Sequence, residues 1–276
     1  MQISKEVLAC ISKTRLRMRS MDTQEFITPI LSIPATYLLG GKSKLFRSAL
    51  VFITAEAVGL PPRDMIDLAL AIELLHTSSL IHDDILDHDG RRRGKQSVHK
   101  RYGIETAIIA GDALISKAIH LSAKYGEKVN KEVAMAAMSM CAGELLDYKH
   151  QNAVSVPKLS EYLRITELKS SSLIASSCSS VALYSGSTLA NRIKKFGLDL
   201  GTAFQIKDDI EDYGSGPNIQ RSNIVKVLAS AYRTRKDEAV SKALYLNSVY
   251  LDKAKSRLSG NKKLAALSYY SEMARA

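Results

Sequence analysis

Tryptophan is absent from this chain of 276 residues, and aromatic side chains make up only 6% of it. Proteins that bind nucleic acid commonly stack aromatic side chains on bases, and the sequence carries no known binding motif of that class. The three cysteines, Cys10, Cys141 and Cys178, are scattered and odd in number, so they give neither a disulfide framework nor zinc-site spacing. We therefore predict a cytoplasmic protein that does not bind nucleic acid.

Long apolar segments are also missing from the sequence. Residues 1–20 mix charged with apolar side chains and lack the uninterrupted apolar core of a signal peptide. The formal net charge is +11, which favours an anionic partner such as a phosphorylated metabolite, although most of the lysines fit an ordinary solvated surface. We predict no integral membrane segment.

Apolar residues recur at three- and four-residue spacing over most of the chain, which predicts helices. The predicted helices cover residues 2–19, 45–59, 63–87, 104–125, 130–150, 158–185, 189–213 and 223–257, with a short last helix after Gly260. The six prolines, at positions 29, 34, 61, 62, 157 and 217, are expected to fall between helices. The sequence thus predicts an all-α protein, a single-domain helical bundle over residues 1–276 around a deep central cavity.

Two clusters of acidic residues stand out: Asp83-Asp84-Ile85-Leu86-Asp87 and Asp208-Asp209-Ile210-Glu211-Asp212. In each cluster two carboxylates share one helix face a single turn apart. Carboxylates that close repel each other, and a hard cation such as Mg²⁺, which also binds substrate phosphates, relieves the repulsion. Two clusters facing each other would hold a polyphosphate between them, whereas either one alone is equally consistent with a solvated helix end or a calcium-like surface site.

Stripes of apolar or small side chains lead up to both clusters. Before the first cluster the stripe consists of Leu68, Ile72, Leu75 and Ser79, and before the second of Gly197, Gly201, Phe204 and Gln205. Helices of this design would enclose a deep apolar pocket with a metal-charged mouth. Such a pocket suits a molecule with a diphosphate head and a hydrocarbon tail.

Basic residues lie close to the first cluster and at the start of a predicted helix. Arg91-Arg92-Arg93-Gly94 follows the first cluster within one loop, and Gly40-Gly41-Lys42-Ser43-Lys44-Leu45-Phe46-Arg47 combines a glycine pair with cations. The planar fork of arginine matches phosphate oxygens, and a helix N-terminus adds amide donors. Gly-Gly-Lys alone is weak evidence, so the weight of this segment comes from the motifs that accompany it.

Together these motifs resemble the trans-type polyprenyl diphosphate synthases, also called isoprenyl diphosphate synthases, and among them the geranylgeranyl diphosphate synthases. Glu73 to Asp84, with Arg92-Arg93-Gly94-Lys95, is similar to the family's first aspartate-rich (DDxxD) region, and Gly201 to Asp209 is similar to its second. Further landmarks are Arg47-Ser48-Ala49-Leu50 through Gly59, Gly111-Asp112-Ala113-Leu114, and Lys169-Ser170. The resemblance covers about residues 38 to 213.

The resemblance implies a prenyltransferase of isoprenoid biosynthesis that condenses isopentenyl diphosphate with an allylic prenyl diphosphate, head to tail. It implies several Mg²⁺ ions, with Mn²⁺ as a substitute ion, which neutralise the leaving diphosphate. The implied metal ligands are Asp83, Asp84, Asp87, Asp208 and Asp212. The allylic cation is then attacked by the isopentenyl double bond, and the departed diphosphate takes the proton that is lost.

Further site residues follow from the same resemblance. The implied catalytic set is Asp83, Asp84, Asp87, Asp208, Asp209, Asp212, Lys169 and Gln205. Arg92 and Lys169 would hold the allylic diphosphate, and isopentenyl diphosphate would be held by Lys44, Arg47, His76 and Arg93. Ser170 and Gln205 would place polar groups near the allylic cation.

The sequence departs from the family pattern in four places. Leu45 stands where the family has an arginine, and the glycine pair lies two residues early, so Lys42 and Lys44 are both candidates for the same role. Ser170 replaces a threonine, and Glu211 adds negative charge to the second cluster. The segment from Gly214 to Asn223 is short and lacks the family's lid lysines, for which the candidate substitutes are Arg221 and Lys226.

Small residues before the first cluster bear on product length. Ser79 and Ser78 lie four and five residues before Asp83, where farnesyl-forming relatives often have an aromatic side chain. A helical turn adds about 5.4 Å of depth, which is roughly one isoprene unit. The residues expected to close the pocket lower down are Leu75, Leu74 and Ile119. We predict a product longer than farnesyl diphosphate, either geranylgeranyl diphosphate or a longer chain.

Two other functions and one assembly remain open. A terpene cyclase needs no second diphosphate site, so Lys44, Arg47 and Arg93 argue against it, and the six aspartates argue against a partner-dependent subunit of a heteromeric synthase. The resemblance implies a homodimer that buries a long helix pair, for which residues 130–150 are a candidate. The apolar side chains there, Met135, Met138, Met140 and Cys141, fit either a dimer surface or the monomer's own core.

Overall fold

The computed structural model of the chain describes residues 3–41, 43–153, 155–215, 220, 222–260 and 267. In this part of the chain the only strands form one short hairpin and the rest is helices, turns and loops, which confirms the all-α class. The chain divides into two compact units, one formed by Met1–Ala137 with Ser180–Ser187 and one by Met138–Ser179 with Thr188–Ala276. The central cavity and the single domain stay predictions.

The first unit carries the first acidic cluster at the end of a buried helix. Its elements are α1 (Lys5–Arg19), α2 (Thr23–Phe26), α3 (Pro29–Thr36), α4 (Phe46–Val58), α5 (Ile66–Leu86), β1 (Arg91–Arg92), β2 (Lys95–Gln96), α6 (Val98–Tyr102), α7 (Ile104–Ser122) and the first part of α8 (Glu127–Gln151). Helix α5 packs against α7 at Gly111, where an added Cβ would lie 2.2 Å from Nε2 of His82. This close packing fixes the end of α5 that carries Asp83.

The second unit carries the second acidic cluster. Its elements are the rest of α8, α9 (Leu159–Thr166), a π-helical turn (Glu167–Ser171), most of α10 (Ser172–Tyr184), α11 (Ala190–Ser215), α12 (Ile224–Tyr232) and α13 (Lys236–Leu258). Two glycines let α11 approach the π turn and α10. A Cβ at Gly201 would lie 2.6 Å from Cα of Ser171, and one at Gly197 would lie 2.5 Å from Cα of Ala175.

Three sequence-based expectations about the helices are wrong. The predicted helix 158–185 is interrupted by the π turn, and the predicted helix 223–257 breaks at Arg233, whose φ of 52° is left-handed. Pro34 lies inside α3 instead of between helices. Helices α2 and α3 were not predicted at all; α2 is only four residues long, and α3 contains two prolines, which are typical of breaks between helices. The predicted helix after Gly260 falls almost wholly outside the described residues.

One stretch in the described part of the chain, Pro62–Leu86, is long and apolar enough to cross a membrane by length and composition alone. The expectation that the sequence lacks long apolar segments is therefore wrong for this stretch. Since 67% of its apolar window is buried inside the structure, the stretch has the burial of a core helix.

Candidate active site

The first acidic cluster sits where α5 ends, and its middle aspartate is fully buried. Asp84 has no exposed surface, whereas Asp83 and Asp87 are half-buried. Oδ1 of Asp84 accepts a hydrogen bond of 2.6 Å from Nε of Arg92, and Nη2 of the same arginine lies 2.8 Å from Oδ2 of Asp89. Arg92, which the resemblance places on the allylic diphosphate, therefore partly neutralises the cluster in this structure.

The second oxygen of Asp84 indicates that this cluster fits a hard cation. Oδ2 is buried and has no hydrogen-bond partner among the described residues. Burial raises the pKa of Asp84 although the adjacent Arg92 opposes the shift. An unsatisfied buried carboxylate oxygen is costly, and a cation would satisfy it. Within the described ranges no three His, Cys, Asp or Glu side chains form a complete metal site, so an ion here would need water or substrate oxygens, as Mg²⁺ commonly does.

Three arginines face His76, the histidine that the resemblance assigns to isopentenyl diphosphate. Burial lowers the pKa of His76 well below its usual value, and the charges of Arg47, Arg93 and Arg92 lower it further. The imidazole is therefore neutral at pH 7 and has one N–H to donate. Any negative ligand bound there must be held chiefly by the guanidinium groups.

The second glycine of the pair before α4 has a packing role in this structure, whereas a Cβ at Gly40 would meet nothing within 4 Å. A Cβ at Gly41 would lie 3.1 Å from Cβ of Arg93, so the glycine permits the close approach of that arginine. Nη1 of Arg93 donates to the carbonyl of Leu38 at 3.1 Å. Leu45, at the position of the family's arginine, is buried and left-handed, while Lys44 is exposed. Lys42 lies outside the described residues, so the choice between Lys42 and Lys44 is open.

In the second acidic cluster the middle aspartate is buried, and both of its carboxylate oxygens accept hydrogen bonds from other residues. Asp209 is only 8% exposed, with Oδ1 accepting from Nε2 of Gln205 at 2.8 Å and Oδ2 accepting from the backbone N–H of Ile224 at 2.9 Å. Burial raises the pKa of Asp209 to about 6. Asp208 is half-buried and Asp212 is exposed. Both oxygens of Asp209 are therefore engaged, in keeping with its omission from the predicted metal ligands.

Lys169 and Ser170 lie on the π turn, a distortion that is frequent at functional sites. Nζ of Lys169 lies 2.7 Å from Oδ2 of Asp147 and 2.8 Å from Oε2 of Glu144, both on α8. Oγ of Ser170 donates to Oε1 of Gln205 at 2.5 Å. The two residues that the resemblance places near the allylic cation are thus bonded to each other.

Several residues around Lys169 and Asp209 were missed by the sequence reasoning. These are Glu144, Asp147, Ser222 and Asn223. The spacing of Glu144 and Asp147, three residues apart on one helix face, was the only sequence signal for the pair. Nothing in the sequence marked Ser222 and Asn223, because their partners come from distant helices.

The predicted length-determining serines differ in their surroundings. Ser78 is 1% exposed, and its Oγ donates to the carbonyl of Gly111 at 2.9 Å. Ser79 is half-buried, and its Oγ donates only within its own helix. Leu75 and Leu74 are buried and Ile119 is half-buried. Ser79 is therefore the more accommodating position for a larger side chain.

Comparison with known proteins identifies the family. The model of the polyprenyl synthetase family matches residues 28–226, which include every site residue discussed above. The chain belongs to the polyprenyl synthetase family. The expected resemblance is thereby confirmed, and the matched range extends beyond the one expected from motifs.

Individual relatives of this polyprenyl synthetase family member carry different product names. A geranylgeranyl diphosphate synthase of Methanosarcina mazei is 38% identical over 184 residues, which cover 64% of this chain and 56% of that protein. A geranylfarnesyl diphosphate synthase of the same organism is 34% identical over 225 residues, covering 79% and 75%. The solved geranylgeranyl pyrophosphate synthetase of Geoglobus acetivorans superposes with a TM-score of 0.86 at 25% identity, covering 98% and 97% of the two chains.

The chain matches only part of the length of several curated relatives. It spans 56%, 59% and 48% of three of them. The names of these relatives include a geranylgeranyl and a solanesyl diphosphate synthase, so the names give more than one product. Family membership therefore leaves the substrates and the product length of this chain to be argued from its own residues.

Proposed function

We propose that this chain condenses isopentenyl diphosphate head to tail with an allylic diphosphate, namely dimethylallyl, geranyl or farnesyl diphosphate. The product is a trans-prenyl diphosphate longer than farnesyl, and we favour geranylgeranyl diphosphate. The observation that carries the proposal is the buried Asp84, which pairs one oxygen with Arg92 and leaves the other unsatisfied within the first aspartate-rich motif. Such an acid, beside an arginine, is suited to bind a metal and a diphosphate together.

Both acidic clusters hold magnesium in this proposal. The ligands are Asp83, Asp84, Asp87, Asp208 and Asp212, and Mn²⁺ is a substitute ion. Bound metal supplies neutralisation of the charge that develops on the leaving diphosphate. Arg92 and Lys169 are proposed to bind allylic diphosphate, which requires Lys169 to exchange some of its contact with Asp147 and Glu144 for phosphate oxygens.

The hydrogen bond of Ser170 has a consequence for the allylic cation. Because the hydroxyl proton of Ser170 is donated to Gln205, the oxygen of Ser170 keeps its lone pairs for another partner. A hydroxyl oxygen oriented in this way stabilises positive charge as the allylic C–O bond breaks. The isopentenyl double bond then attacks the cation, and the departed diphosphate accepts the proton lost from the new product.

The second substrate is held by side chains of the first unit. Lys44, Arg47 and Arg93 bind the diphosphate of isopentenyl diphosphate, and His76 donates one hydrogen bond as a neutral imidazole. Ser79 and Ser78 leave room for a growing chain above Leu75. A terpene cyclase would not need this second set of cations, so dependence on isopentenyl diphosphate separates the two functions.

A product assay tests the proposal. Purified protein is incubated with Mg²⁺, labelled isopentenyl diphosphate and one primer at a time, and the dephosphorylated products are sized by chromatography. We expect one discrete prenol longer than farnesol, and we expect it to vanish with chelator and in Asp83→Ala. No incorporation from any primer by folded protein would reject the proposal in favour of a partner-dependent subunit.

We further propose that the chain acts as a homodimer in the cytoplasm. Helix α8 exposes large apolar side chains, with Met135 54%, Met138 65% and Leu145 56% exposed. Met140, for which the sequence left both a dimer surface and the monomer's own core open, is only 9% exposed and belongs to the core. Light scattering on the purified protein tests the dimer, and Met138→Glu should lower the measured mass if α8 forms the interface. The cytoplasmic location rests on the three cysteines, Cys10, Cys141 and Cys178, whose scattered positions and odd number give no disulfide framework.

A further inference from the structure

Two buried carboxylates in the second unit each bridge a proposed active-site residue and the start of α12. Asp147 is 3% exposed. Its Oδ2 accepts a hydrogen bond from Nζ of Lys169 at 2.7 Å, and its Oδ1 accepts one from the hydroxyl of Ser222 at 2.5 Å. Asp209 accepts a hydrogen bond from Nε2 of Gln205 on one oxygen and one from the backbone N–H of Ile224 on the other. In each carboxylate one oxygen accepts a hydrogen bond from a proposed active-site residue. The other accepts one from residues 222–224, which we name the anchor segment.

The anchor segment is itself firmly held. Nδ2 of Asn223 donates to the backbone carbonyl of Asp209 at 2.6 Å, and its Oδ1 accepts from the N–H of Val225 at 2.9 Å and so caps α12. Ser222 and Asn223 are 7% and 5% exposed. Because each carboxylate is bonded through both oxygens, its rotamer is fixed by the anchor, and the orientation of its other partner is fixed with it.

We propose that the anchor segment is a positioning element for catalysis, acting through Asp147 on Lys169 and through Asp209 on Gln205 and Ser170. This inference rests on the proposed function, because the residues positioned are those that meet the allylic diphosphate and its cation. The amide of Gln205 can accept the Ser170 proton only while its NH₂ group is bonded to Asp209. The anchor thereby sets which way the Ser170 hydroxyl points.

The arrangement also bears on the segment that lacks the family's lid lysines. Soon after the second acidic cluster, the hydroxyl of Ser222 donates to the carboxylate of Asp147 and the side-chain amide of Asn223 donates to the backbone carbonyl of Asp209. The anchor contributes no positive charge of its own. Its effect on the reaction is therefore expected in kcat, through orientation, and not in the affinity for isopentenyl diphosphate.

Kinetics of anchor variants test the proposal. Ser222→Ala should lower kcat about tenfold, which corresponds to the loss of one hydrogen bond to a charged group, with KM for isopentenyl diphosphate unchanged. Ser222→Thr, which keeps the hydroxyl, should restore most of the rate. Ser241→Ala, which removes an exposed hydroxyl of α13, is the matched control and should leave kcat unchanged. Circular dichroism and thermal unfolding confirm that each variant is folded.

A mutant cycle distinguishes positioning from a general loss of structure. If Ser222 acts through Lys169, adding Ser222→Ala to Lys169→Ala should change kcat by less than about twofold, and adding Asn223→Ala to Gln205→Ala should behave alike. A full tenfold further loss in both double variants would overturn the proposal, because a structural defect acts whether or not the positioned residue is present.

Hydrogen exchange keeps the test independent of the proposed function. If the wild type makes no product, the proposed function fails, and the anchor is then judged at the amide of Ile224. Gln205→Ala should speed exchange of that proton by about tenfold, since Asp209 would lose the partner on its other oxygen. Unchanged exchange at Ile224 would overturn the anchor even in an active enzyme.

Discussion

Replacing Gly143 by alanine tests how Lys169 is placed. Gly143 lies on α8 directly against the π turn, and an added Cβ would lie 2.3 Å from the backbone N of Lys169 and 2.7 Å from its Cα. Ordinary contact begins near 3.4 Å, so the turn and α8 must separate by about 1 Å. The obstructing atoms are backbone, which cannot rotate away as a flexible side chain would.

The expected magnitude follows from two opposing effects. Alanine has the better helix propensity by about 1 kcal/mol, which taken alone predicts a more stable protein. Overpacking against backbone costs about 3 kcal/mol at the upper end of its usual range. We therefore expect Gly143→Ala to lower the free energy of unfolding by about 2 kcal/mol. Because the displaced residue is Lys169, we also expect kcat to fall about 100-fold, as a 1 Å misplacement of a catalytic group can produce.

Urea denaturation and steady-state kinetics measure the two effects in one preparation. The matched control is Ala142→Ser, which adds one heavy atom to the neighbouring, exposed position of α8 and should change the free energy of unfolding by less than about 0.5 kcal/mol. A Gly143→Ala protein that is more stable than the wild type and turns over at the wild-type rate would refute the packing argument.

Three further predictions concern the first unit. Since the pKa of folded His76 lies well below 6.5, the unfolded chain binds the proton more tightly, so stability should fall as pH drops below about 6.5; His76→Gln should remove this loss, and parallel denaturation curves from pH 5 to 8 would contradict it. Ser79→Phe should shorten the product by about one isoprene unit, at less cost in stability than Ser78→Phe, because Ser78 is buried against α7; an unchanged product distribution would reject the pocket assignment. Asp84→Asn should raise the Mg²⁺ concentration needed for half-maximal activity by at least about tenfold, and an unaltered requirement would remove Asp84 from the metal ligands.

The helices that carry the acidic clusters could be predicted from sequence because their signals are local. Apolar residues at helical spacing lead along α5 to Asp83, and glycines at the same spacing lead along α11 to Asp208. The π turn could not be predicted in this way. It depends on Gly143 and Gly201, whose missing side chains let α8 and α11 approach the turn from distant parts of the sequence.

In the candidate site, too, the local features could be predicted from sequence and the tertiary contacts could not. The residues proposed to bind metal and phosphate were predictable, because the carboxylate of Asp83 and the cationic groups of Arg92 and Lys169 indicate these ligands by their own chemistry. Their present partners were not, because the contact of Lys169 with Asp147 joins residues 22 positions apart and depends on tertiary packing. For the methionines of α8 the sequence left a surface and a core position open, and the structure exposes Met135 and Met138 but buries Met140.

The division of the first unit into two stretches of chain has a consequence for synthesis on the ribosome. Residues Ser180–Ser187 complete that unit although the start of the second unit precedes them in the sequence. Tyr184 packs edge-on against Tyr125 with ring centroids 5.2 Å apart, and the hydroxyl of Tyr125 in turn donates to the carbonyl of Asp64. Domains fold largely as units while the chain emerges from the ribosome. The first unit therefore cannot complete its fold until about fifty residues after Ala137 have been translated, and part of its apolar surface stays uncovered until then.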